Sequence, residues 1–219
     1  MQFKYLGVET SLCPGKGVRA MQKRALDLAK SYKGACLRIA RDGPDIVDLA
    51  LSLWKNIAIP SVLYGCEYVP FSKQTVVDIE RQQSCVGKFT LGLPSCAPNI
   101  SSFAILGIKP FKHLLYSAQL KFYVRLSKQG DERWSKDALL DHLVDGWSSP
   151  YLKLLLDIKN EVGMDQWPIS ETFVDIVLDY HFVSVANEEL GRLSLPAFEP
   201  VSKRMRMSHV NESDVSKVS

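Results

Sequence analysis

The sequence predicts a mainly α fold: a helical bundle with a short N-terminal strand and turn, followed by a less regular helical extension. Three observations carry this. The apolar residues Val18, Met21, Ala25, Leu28, Tyr32, Cys36 and Ile39 step by three and four, which places them on one helical face. Helix starts marked by Ser or Pro and stops marked by Gly recur along the rest of the chain. Only FKYLGV, residues 3–8, has the aromatic and branched density of a strand, and it runs into a turn at Gly7.

Taken in order, TSLCPGKG reads as a loop from its Pro and Gly content. The helix from Val18 to Ile39 follows, with Lys16, Arg19, Lys23 and Lys30 opposite its apolar stripe and Leu26 and Leu37 interrupting the polar side. Asp42, Gly43 and Pro44 break it and open a second helix from about Asp45 toward Ile59, carrying Ile46, Leu49, Leu53, Trp54 and Ile57. Pro60 ends or kinks that helix, and VLYGCEYVP continues as a further helical turn or as a buried extended piece ending near Gly65. Ser72 is an N-cap for a helix with Val76, Ile79, Val86 and Phe89, closed by LGLP. The short apolar segment ISSFAILG precedes Pro110. A longer helix then runs from about Phe111 to Lys128, with Leu114, Leu115, Ala118, Phe122 and Leu126. Beyond Gly130, SKDALLDHLVDGW, SPYLKLLLDIKNEVG and ISETFVDIVLDYHFVSVANEEL read as further helices, and periodicity is lost from Leu193.

With 219 residues and 46% hydrophobic content, the chain has enough apolar surface for a substantial core. It contains neither the roughly 18 consecutive apolar residues of a membrane span nor a signal-peptide core, so the reading is a soluble intracellular protein, nuclear or cytoplasmic, without a membrane partner. Cys13, Cys36, Cys66, Cys85 and Cys96 form no CxxC pair and are odd in number, which reads as reduced, buried thiols. Charge is polarised. Residues 1–130 carry 18 Lys and Arg against 8 Asp and Glu, whereas the remainder carries 9 against 16.

Catalytic chemistry is hard to find. No paired carboxylates sit in a strand-turn-strand setting that could hold two metal ions for phosphoryl transfer. His113, His142, His181 and His209 are scattered, and none stands at zinc-ligand spacing from a cysteine pair. PGKG is too short to wrap a phosphate as a phosphate-binding loop does. The expectation is therefore no catalytic residue, no metal and no cofactor. A small enzyme with an unrecognised site would instead need a concave pocket lined by titratable groups with shifted pKa values.

The basic helix stands out. Lys16, Arg19, Lys23, Arg24, Lys30, Lys33, Arg38 and Arg41 are opposed before Arg41 only by Asp27. Such a helix suits docking along a phosphate backbone, which positions a protein without reading bases. A solvated outer face fits the same pattern.

The order of short motifs adds a resemblance. FKYLGV, the basic helix, WKNIAIPSVLYGCEYVP, DIERQQSCVGKFTLGLP, FAILGIKP and LKFYVRL together look like the region downstream of the palm in LINE-type, non-LTR retrotransposon reverse transcriptases, over roughly residues 3–165. The resemblance implies that Tyr5, Leu6 and Gly7 match the turn where palm passes to thumb, near the primer grip. It implies a thumb-like helical domain over 1–130 and a helical linker or connection over 131–195, while the polar composition of 196–219 by itself reads as a flexible tail or an interrupted element. It also implies that the basic helix, through Lys16, Arg19, Lys23 and Lys30, meets an RNA or DNA template-primer duplex. The family's aspartate pair, which uses Mg, and its fingers would lie before residue 1. The chain then resembles an internal, noncatalytic slice whose natural packing partners are the missing palm and fingers. A helical protein-interaction module without nucleic-acid binding is the alternative.

Overall fold

The structure, a computed structural model, describes residues 2–5, 8–11, 14–41, 47–129, 150–168 and 170–192. It is mainly helical. Strands β1 (Gln2–Tyr5) and β2 (Val8–Ser11) form an antiparallel hairpin in which Tyr5 pairs with Val8 and Gln2 with Ser11. Helix α1 (Pro14–Arg41) starts earlier than the sequence suggests. The segment read as a loop instead ends a strand and opens a helix. Pro14 stands at the first helical position, where its fixed φ suits the turn and its missing N–H costs nothing.

Helices α2 (Val47–Leu53) and α3 (Ile59–Leu63) are joined by a π-turn over Trp54–Ala58. Pro60 explains it. A proline inside an α-helix has no N–H to give and crowds the carbonyl four residues back. Here the ladder widens, and the Ile59 N–H reaches the Trp54 carbonyl five residues back, so the helix passes the proline without ending. The widening also resets the facing of the side chains. In a plain α-helix, residues four apart drift by about 40° per step, and the wider turn takes much of that back. Ala50, Trp54, Ala58 and Val62 all stay buried as a result. Leu49 and Ile57, expected inside, are 59% and 49% exposed.

Helix α4 (Lys73–Thr90) begins at the expected cap, with Ser72 Oγ accepting the Thr75 N–H at 3.1 Å. It ends at Gly92, whose φ of 64° lets the Leu93 N–H return to the Lys88 carbonyl at 2.8 Å. ISSFAIL lies within helix α5 (Asn99–Leu106), which Gly107 closes in the same way. Helix α6 spans Phe111–Ser127, α7 Pro150–Val162 and α8 Glu171–Arg192, the last capped by Ser170 Oγ accepting the Phe173 N–H at 3.1 Å.

Two cores result. In the first, α1 offers Ala25, Ala29 and Cys36 to Ala50, Trp54, Ala58 and Val62, with Val76, Ile79 and Val86 of α4 and Phe111 and Leu115 of α6. The alanines let the helix axes approach closely, and Trp54 fills the volume they leave. In the second, Leu120, Tyr123 and Val124 of α6 meet Leu155, Ile158 and Val162 of α7 and Val174 and Leu178 of α8. Helix α6 therefore serves both cores from different faces.

The chain divides into two compact units, Met1–Leu178 and Asp179–Ser219. The described part of the second is the helical stretch ending at Arg192. The expected helix SKDALLDHLVDGW, the boundary near residue 130 and the expected tail from residue 196 lie outside the described residues. No helix among the described residues is long and apolar enough to cross a membrane.

Candidate nucleic-acid interface

Helix α1 separates its faces cleanly. Met21, Ala25, Ala29 and Cys36 are buried, whereas Lys16, Arg19, Lys23, Lys30, Arg38 and Arg41 are all exposed, with Asp27 among them. The four cations singled out from the helical period thus share an outer face with two further arginines. Ala29, near the centre of the buried stripe, escapes the apolar reading because that reading steps by three from Ala25 to the larger Leu28, which is only half-buried. Leu26 and Leu37, toward the polar side, are half-buried. Of the expected turn residues, Tyr5 closes β1 by pairing with Val8, while Leu6 and Gly7 lie outside the described residues.

On the flank of α1, about 100° round from Lys23, the half-buried Arg24 meets aromatic side chains on the turn after α3. Arg24 Nη1 donates to the Tyr64 carbonyl at 3.1 Å, and its guanidinium carbon lies 5.7 Å from the centre of the Tyr64 ring. Tyr68 meets Phe122 of α6 with ring centres 6.5 Å apart. Arg125 lies 6.0 Å from the Phe122 ring centre and donates to Glu67 at 2.7 Å. The turn is built rigidly. Gly65 takes a φ of 75°, the Cys66 N–H returns to the Leu63 carbonyl at 2.9 Å, and the buried Gln119 Nε2 donates to the Cys66 and Val69 carbonyls at 3.3 and 3.0 Å. Sequence reading used LYGCEY only as part of a motif; its two tyrosines four residues apart, beside a glycine, are the signal that could have marked a presented pair.

The cysteines split. Cys36 donates to the Ala50 carbonyl at 3.4 Å, and burial pushes its thiol up to about 11. Cys66 donates to the Val62 carbonyl at 3.1 Å, and burial raises it to about 12 against the opposing pull of Arg24. Neither supplies a thiolate at neutral pH. Contrary to the expectation of buried thiols, Cys85 and Cys96 are exposed; Cys13 lies outside the described residues. Among the described residues, no group of three or more His, Cys, Asp or Glu is placed to hold a metal ion.

A groove of about 840 Å³ opens between α4, α6 and α7, lined by Glu80, Lys112, Tyr116 and Glu161 above Leu115 and Leu154. It has the concavity and shifted groups that a hidden enzyme site would need, but those groups engage one another. Lys112 Nζ pairs with Glu161, and Tyr116 donates to the same carboxylate at 2.7 Å, so burial and that carboxylate both hold the phenol protonated. Glu80 accepts the Lys112 N–H at 3.0 Å, serving as a cap for α6, whose own N-cap residue is Pro110 and offers no side-chain acceptor.

Burial raises the Glu80 carboxyl above its usual 4.5 despite that hydrogen bond and the Lys112 charge. The native state then keeps a proton that the unfolded state has lost, so stability falls as pH rises from about the usual carboxylate value through the raised one. Glu80→Gln keeps an oxygen for the Lys112 N–H but cannot ionise. Urea midpoints across this pH range are expected to show that part of the decline in the parent and not in the variant, with the variant at least as stable at neutral pH. Parallel curves would show that Glu80 is not the group responsible.

In comparisons with family models, curated proteins and solved structures, nothing matches the chain. The likeness to LINE-type reverse transcriptases rests on the sequence motifs alone.

Proposed function

We propose that this chain is a noncatalytic, nucleic-acid-binding piece of a retrotransposon RNA-directed DNA polymerase, corresponding to the thumb, which grips a template-primer duplex through α1. The observation that carries the reading is the row Lys16, Arg19, Lys23 and Lys30, joined by Arg38 and Arg41, exposed on a helix whose opposite face is held in the core. A rigid helix with cations at one- and two-turn intervals follows a phosphate backbone without distinguishing bases. The order of motifs around it supplies the family assignment.

A salt series tests it. Binding to a short RNA–DNA hybrid, followed by fluorescence anisotropy, is expected to weaken by about 10²-fold or more between about 50 and 200 mM salt, as released counterions become harder to displace. Affinity independent of salt would sink the reading. The second reading, a helical protein-interaction module, draws on the exposed Leu49, Ile57 and Ile105. It predicts a protein partner retained after nuclease treatment together with no hybrid binding.

A further inference from the structure

We infer that the turn Tyr64–Tyr68, with Phe122 and Arg24, is a stacking platform for the unpaired bases of single-stranded nucleic acid, on the flank of α1 beside its phosphate-binding face. This rests on the proposed nucleic-acid role and adds to it a second substrate form and the residues that take it. Tyr64 is 48% exposed and Tyr68 46%, so two aromatic rings stand in solvent on one short turn. A single half-exposed tyrosine is ordinary, but two on one short turn bring aromatic surface together within reach of solvent.

Each ring also has a cation beside it or beside its neighbour. Arg24 lies by the Tyr64 ring and Arg125 by Phe122, which in turn meets Tyr68. Bases stack on such rings whatever their identity, because every base has a π-face. Arg125 is held by Glu67, whereas Arg24 spends one Nη1 hydrogen on the Tyr64 carbonyl and keeps the rest of its guanidinium for an intervening phosphate. The rigidity of the turn matters as much as its composition. Gln119 pins the Cys66 carbonyl within the turn and the Val69 carbonyl just past it, so little ordering remains to be done when a strand lands. Arg24 projects from α1 about 100° round from Lys23 and reaches Tyr64, so the stacking surface lies on the flank of the basic helix, beside its phosphate track. A duplex could use the first and not the second, since paired bases hide their faces inside the helix.

Two probes of equal length and charge separate the contributions: a short labelled oligothymidylate and an abasic oligodeoxyribonucleotide. The intact chain is expected to bind the oligothymidylate more tightly than the abasic strand. Tyr64→Ala and Tyr68→Ala are each expected to weaken oligothymidylate binding about tenfold, in the range measured for aromatic stacking partners, and to leave the abasic strand and the RNA–DNA hybrid unchanged. Tyr64→Phe and Tyr68→Phe keep the ring and are expected to restore binding, which separates stacking from any effect of the hydroxyl on the turn. Equal affinity of the intact chain for both strands, or equal losses on both in the alanine variants, overturns the platform while leaving the phosphate face of α1 standing. If no probe binds, the hybrid included, both readings fall together.

Discussion

Reversing Lys16, Arg19, Lys23 and Lys30 to Glu is expected to lower affinity for an RNA–DNA hybrid on the order of 10³-fold at about 0.1 M salt, and to reduce the slope of log affinity against log salt by about 3 to 4. Each cation that meets a phosphate releases close to one counterion, so removing four contacts removes four increments of the slope together with their free energy. Repulsion from the new carboxylates adds to the loss. The fold should tolerate the change, because all four side chains are exposed and the opposite face of α1 holds the core contacts. Glu at position 23 would stand four residues before Asp27, a like-charge pair costing a few tenths of a kcal/mol. A comparison variant, Lys153→Glu on α7, reverses an exposed charge away from this face. It should change the slope little. If the quadruple variant keeps the parent's affinity and slope, the outer face of α1 is a solvated surface and the proposed role is wrong.

The same helix shows what could be read from the sequence and what could not. The facing of α1 was legible because its polar residues are mostly charged and cluster on one side, so the 3.6-residue period stands out even though Ala25, Ala29 and Cys36 are small. Across α2 and α3 that period misled. Leu49 and Ile57 are the larger side chains, yet Ala50 and Ala58 are the buried ones, since the π-turn forced by Pro60 changes the facing midway and close helix packing selects small residues. In α4, Phe89 was assigned to the core and is 41% exposed, while Gln83, four residues after Ile79 on the core face, is buried. Gln83 Nε2 donates to the Lys109 carbonyl at 2.7 Å, satisfying a loop group that has no place in a helix ladder. A polar residue recruited by a distant loop leaves no periodic trace, because its partner is set by tertiary structure. The candidate site divides along the same line. The cations of α1 follow from one helix, whereas the platform is assembled from α1, the turn after α3 and α6.

Gln119 is where fold and platform meet, and Gln119→Leu is expected to destabilise the protein by about 2 to 3 kcal/mol. Its side chain is fully buried, and its amide bridges the carbonyls of Cys66 and Val69. Leucine has similar bulk, so the effect should come from hydrogen bonding more than from volume. The Cys66 carbonyl still receives the Val69 N–H at 3.4 Å, which leaves the Val69 carbonyl as the group most deprived. Urea denaturation gives the loss directly, and an unchanged midpoint would show that the turn does not depend on the bridge. Gln119→Glu sharpens the assignment. A carboxylate would face two carbonyl oxygens and only its protonated form could donate, so the folded pKa should rise well above the unfolded one. The Glu variant should therefore approach the parent in acid and lose stability as pH rises, while the Leu variant's deficit stays constant with pH. Because the bridge holds the turn that carries Tyr64 and Tyr68, Gln119→Leu should also weaken oligothymidylate binding under conditions where the chain remains folded. Binding of the RNA–DNA hybrid, which needs only the outer face of α1, should persist.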